Sequence, residues 1–82
     1  MEQGRFAEAR ANFAREVQRS PYYHEFHFWL AMAHWQLGES NSARNQMALA
    51  VDTSTTAEGA KRYASKLDYL RSLSAASAHK AF

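Results

Sequence analysis

Histidine, glutamate and aromatic side chains crowd the stretch from Tyr22 to Trp35, YYHEFHFWLAMAHW, and chemistry would be sought there first. His24 and His27 stand three apart with Glu25 between them, and His34 follows two turns beyond His27. On a helix that spacing can bring imidazoles toward one face, which is how a metal site begins. Zinc asks for three or four converging ligands, and the remaining carboxylates fall on scattered polar faces, so no metal is expected. The plainer expectation is a pair of half-exposed histidines near a turn, with His34 the more buried and hydrogen-bonded. Serines are plentiful, but none sits in a nucleophile-elbow context, and no Ser/His/Asp arrangement can be drawn. Three isolated glycines make no phosphate loop. The absence of cysteine removes disulfides, thiolate zinc sites and a Cys nucleophile, and leaves the redox compartment open. Neither an enzyme nor a cofactor is expected.

Binding is the better prospect. Phe28, Met32 and Trp35 fall at spacings of four and three, so they share one helical face distinct from the Leu30/Ala31 side. Exposed aromatics and a methionine across a shallow groove suit an apolar or helical peptide segment. The competing reading has Trp35 and Phe28 packed against neighbouring helices. Tyr22 and Tyr23 divide in the same way, with packing at a turn favoured over ligand contact. A helix-turn-helix reader of DNA is the rival from another class, because a short turn at Gly38 precedes Arg44, Asn45 and Gln46. That helix lacks a basic cluster to hold phosphates, and Lys61, Arg62 and Lys66 alone could form a basic strip. A net charge of +2, from 10 basic and 8 acidic side chains, is too small for a nucleic-acid footprint.

The elements that must position these residues are helical. Few Gly, one Pro and many Ala, Leu, Glu, Gln and Arg favour helix throughout, and no β-branched run suggests a sheet. Helices are expected at about 4–19, 23–37, 40–52 and 56–74. The first carries a stripe of Phe6, Ala9, Phe13 and Val17, and Pro21 stops it by disfavouring helix at Ser20. The second places Phe26, Leu30, Ala33 and Leu37 on one side, widened by Trp29, and ends at Gly38, where positive φ costs little. Ser40 or Asn41 is expected to cap the third, which turns Ala43, Met47, Ala50 and Val51 inward and leaves Arg44, Asn45 and Gln46 mostly wet. Ala31 and Ala43 would let the second and third helices approach closely as antiparallel neighbours. Thr55 and Glu58 read as a capping box for the last helix, whose stripe is Ala60, Tyr63, Ala64, Leu67 and Leu70. Beyond Ser72 that helix is expected to run part way toward Phe82 and fray.

Displaced by 34 residues, the chain superposes Gly4 on Gly38, Ala9 on Ala43, Arg10 on Arg44, Val17 on Val51 and Ser20 on Ser54, while Phe13 meets Met47. The last helix matches the second at a spacing of 33, with Ala31 meeting Ala64 and Leu37 meeting Leu70. A period of this length with two helices per unit marks a solenoid. The chain resembles the tetratricopeptide repeat. Gly4-Arg5-Phe6, Ala9, Phe13 and Pro21 look like the family's second-helix pattern, and Leu30, Ala31, Gly38, Ala43, Met47 and Ala50 like one full repeat. It departs where His27 stands for the family's tryptophan, Ser40 for the aromatic after the turn glycine, and Thr55 for the closing proline. The resemblance implies an all-α fold of helical hairpins in a right-handed superhelix, here one and a half repeats and a C-terminal capping helix.

It also implies a protein–protein interaction module, a scaffold or adaptor that takes a peptide or helical segment in a concave groove. The matching inward positions are Glu25, Phe28, Met32, Trp35 and Gln36, and the final helix would add Arg62, Lys66 and Tyr69 as a basic edge. Some members clamp a C-terminal carboxylate with Lys, Arg and Asn; Phe28 and Met32 at the matching positions argue against that here. The alternatives are a self-associating segment and a chaperone-like module for an apolar segment. A repeat that starts in mid-unit is expected to belong to a longer array, or to cover Phe6 and Phe13 with a second copy. At 82 residues there is room for one small domain with a limited core. No apolar run approaches a membrane span, and Met1–Arg15 is not a signal peptide as it stands, so the default compartment is the cytoplasm.

Overall fold

The computed structural model describes residues 2–80, with side chains described for residues 4–73. Four helices follow in order, α1 (Glu2–Arg19), α2 (His24–Gln36), α3 (Ser40–Thr53) and α4 (Ala57–Lys80), with no strand among the described residues. Each packs on the next in sequence, so α2 and α4 lie parallel in one layer and α1 and α3 form the other. The Cα envelope measures 40 × 33 × 16 Å. Helices of about 2.3 Å Cα radius at about 8–10 Å separation predict a slab about 13–15 Å thick, close to the shortest extent.

The hairpin between α2 and α3 is made by Gly38. Its φ of 78° is left-handed, which a side chain would resist, and no other described residue has positive φ. The Gly38 amide donates to the Trp35 carbonyl at 3.0 Å and the Glu39 amide to the His34 carbonyl at 2.9 Å. These two bonds satisfy carbonyls that the helix end would otherwise orphan. Small residues then allow close approach. Ala31, Ala43 and Ala50 are fully buried and meet Met47, Leu67 and Leu70 in one cluster, flanked by Phe28, Trp35 and Tyr63. Met47 is the largest fully buried side chain and sits on α3 between α2 and α4. With alanines around it, this one side chain fills much of the interior.

Several local expectations are corrected. α1 begins at Glu2, two residues before the expected start, so Gly4 lies within the helix and its equivalence to Gly38 is one of register and not of conformation. Glycine accepts either state, and a turn is imposed only where the chain must reverse onto a preceding helix, which the described residues do not include before α1. The other end of the repeat does coincide: α1 ends at Arg19 and α3 at Thr53, 34 residues apart. Neither Ser40 nor Asn41 caps α3. Glu39 holds the N-cap position without capping, because its carboxylate is drawn to His34 and Arg10, while Asn41 accepts from Arg44. The cap of α4 belongs to Thr56, whose Oγ1 accepts the Gly59 amide at 2.9 Å, and not to Thr55 with Glu58. A Cβ on Gly59 would lie 2.7 Å from Ser54 Oγ, so the tight α3–α4 corner favours glycine there. α4 also continues past the expected end near 74; the terminal Phe82 lies outside the described residues.

The histidines are reversed. His27 is the buried one, 2% exposed, and His34 only partly so. His27 Nε2 donates to the Pro21 carbonyl at 2.6 Å, and Nδ1, 2.8 Å from the Gln46 side-chain amide, accepts from its NH2 once that amide is turned to face the ring. The imidazole thus ties α2 to the α1–α2 turn and to α3, and Gln46 is drawn in from the wet face where it was expected. A buried polar ring is tolerable only with both nitrogens satisfied, and here both are.

Candidate functional site: the α2–α4 groove

Along the open face of the α2/α4 layer runs a depression of about 490 Å³. Its floor is aromatic. The Phe28 and Tyr63 rings lie 5.6 Å apart at 37°, and Trp29 meets Phe28 edge-on at 4.9 Å. The Tyr63 hydroxyl and His24 Nδ1 are hydrogen-bonded at 2.7 Å, stitching α2 to α4 at the groove base. Burial, with the nearby Glu25 charge, pushes the Tyr63 phenol up, so it stays protonated. Tyr23 donates to Glu25 at 3.0 Å, and that bond to a carboxylate raises its phenol in turn. The groove carries acid at one end and base at the other. Glu25 and Glu58 lie in the first turns of α2 and α4, whereas Arg62 and Lys66 line the wall further along α4. The Lys66 ammonium rests 5.7 Å from the Phe28 ring centroid, within cation–π reach.

A second, apolar notch of about 290 Å³ opens between α1 and α2. Phe6, Ala9 and Phe13 form its α1 wall, and Met32, Ala33 and Gln36 its α2 wall. Phe28 and Trp29 border both depressions, so the two are one continuous surface.

Of the residues singled out in the sequence, Glu25, Phe28, Arg62 and Lys66 come together in the groove, and Met32, Gln36, Phe6 and Phe13 in the notch. Trp35 lines neither; it packs against the Ala43/Met47 cluster. Tyr69 is 63% exposed and also stands outside both. Trp29 was expected to widen the core stripe, yet it is 49% exposed and faces the groove. Its signal was present: it lies four after Glu25 and three before Met32, the spacing that puts those two on this face. His24 and Tyr63 were missed because only the parallel packing of α2 on α4 joins them. Among the described residues no group of three or more His, Asp and Glu is placed to hold a metal ion.

Alternating layers, a glycine-closed hairpin and a 34-residue register are the geometry of a helical repeat. A family model for the tetratricopeptide repeat matches residues 1–65. The chain belongs to the tetratricopeptide repeat family. As such it is a protein–protein interaction or scaffold module in the general sense, and repeats of this family are typically non-enzymatic. No curated protein and no solved structure matches the chain significantly. No helix among the described residues is long and apolar enough to cross a membrane.

Proposed function

We propose that this tetratricopeptide repeat chain acts as a scaffold or adaptor by holding a segment of another protein in the α2–α4 groove. The observation that supports this best is Trp29. A tryptophan about half exposed over an aromatic floor leaves apolar area in water that a ligand would cover, and such residues dominate binding energies where they occur. Screening a peptide library against the immobilised chain tests the reading. Trp29→Ala is expected to weaken selected peptides about tenfold or more, while Leu49→Ala, 40% exposed on α3, leaves them unchanged. Selected peptides that ignore Trp29→Ala would overturn it. Duplex DNA is expected to show no steep salt-dependent binding.

A second reading rests on the notch. Phe6 and Phe13 are only half-buried, and α1 has no helix on its far side among the described residues. This face would take a further helix, from a second copy or from an apolar client segment. Sedimentation of the chain is expected to show a dimer that Phe13→Arg weakens; a well-folded monomer at high concentration would exclude the second copy.

A further inference from the structure

From the charges around the groove we infer the class of segment it takes: an internal acidic side chain about three residues from a bulky apolar one. The inference rests on the groove reading above and adds the ligand's chemistry. Among the described residues, Arg10, Arg19 and Arg71 each have a carboxylate partner, the last two at 3.7 and 3.9 Å. Lys61, Arg62 and Lys66 have none; the same is true of Arg5 and Arg15 on α1, but the first three are clustered on α4 and line the groove or the shallow depression beside it. Arg62 and Lys66 stand four apart on one helix face, where like charges repel and oppose the fold. Glu58, one turn before Arg62, and the Phe28 ring beside Lys66 temper that repulsion, but no carboxylate among the described residues lies within ion-pair distance of either cation; an incoming one would pair with both. Lys61 and Ser65, one turn apart, extend the same basic edge.

The apolar half of the motif follows from the notch. Phe28 and Trp29 carry the surface without a break from the groove to the Phe6/Phe13 wall, which presents almost no polar lining. The two sites lie on either side of α2, and a helix with its side chains is about 10–12 Å across. A bound chain in the polyproline II conformation rises about 3.1 Å per residue and turns every third side chain to the same side, so a side chain in the notch and one at Arg62 and Lys66 stand about three residues apart. Glu25 and Glu58 fix the direction along α4, because they repel a carboxylate from the first-turn end and leave it the Arg62/Lys66 end.

The test uses capped ten-residue peptides, acetylated and amidated so that no terminal carboxylate is present. One bears Phe-x-x-Glu, one Phe-x-x-Lys, one Ala-x-x-Glu and one Phe directly followed by Glu. The first is expected to bind about tenfold more tightly than any other and to weaken as salt is raised. The exposed double variant Arg62→Glu with Lys66→Glu is expected to reverse the order and prefer Phe-x-x-Lys. A reversal cannot come from misfolding, and circular dichroism checks the helix content. Equal binding of all four peptides, preference for lysine by the unmodified chain, or failure of all four to bind would each overturn the inference. If library-selected peptides still perturb α2 and α4, the groove reading survives that failure; if they perturb another face, both fall.

Discussion

A single imidazole shows how much of this fold depends on polar satisfaction. His27 occupies the position where the family carries tryptophan, and it replaces bulk with two hydrogen bonds, to the Pro21 carbonyl and to Gln46. Replacement by leucine keeps apolar volume but leaves both partners unanswered in the interior. We expect His27→Leu to cost about 1–3 kcal/mol, read from the urea midpoint; a neutral result would mean the tether contributes nothing. Glu39 gives a pH signature. Its hydrogen bond to His34, aided by Arg10 and opposed by partial desolvation, holds its carboxyl below the ordinary 4.5. A depressed folded-state value means the contribution is complete above 4.5 and is lost as pH falls through the lower folded value. The urea midpoint should therefore fall in that acid window, and Glu39→Gln should flatten the fall. These roles were not legible in sequence. Spacing placed His27 and Gln46 on helices, but only the packed hairpin brings together residues 19 apart in the chain, and the same packing took Glu39 away from capping.

At the scale of the helix, stability concentrates in α3. Met47 is fully buried among alanines that cannot expand to fill the space it would leave. Met47→Ala should cost about 2–5 kcal/mol by chemical denaturation, enough to unfold a domain of marginal core size. Thr56→Ala removes the bond that caps α4 and should cost about 1 kcal/mol. The inward faces of α2, α3 and α4 were legible because Ala31, Ala43, Met47, Leu67 and Leu70 keep helical spacing. Helix ends were less so. Glycine at position 4 permits a turn but does not require one, and adjacent Thr55 and Thr56 offer equivalent hydroxyls whose roles the corner geometry decides. Trp29 stood on the boundary between two faces of α2, where periodicity cannot choose between core and solvent.

Across the whole molecule, two layers of helices separate the tasks. From the α1/α3 layer, α3 drives Met47 as a wedge into the interior, which α2 and α4 share, and the α2/α4 layer also presents Phe28, Trp29, Tyr63, Arg62 and Lys66 on one open surface. Repeat proteins tolerate this division because each unit is stabilised by its neighbours, leaving the lined face for contact. The central claim is that this face, and not the outer face of α3, receives a partner segment. Amide chemical-shift mapping with a library-selected peptide tests it most directly. Shifts are predicted along residues 24–36 and 58–66, with the outer face of α3 still; perturbation confined to α3 and the outer side of α1 would contradict it.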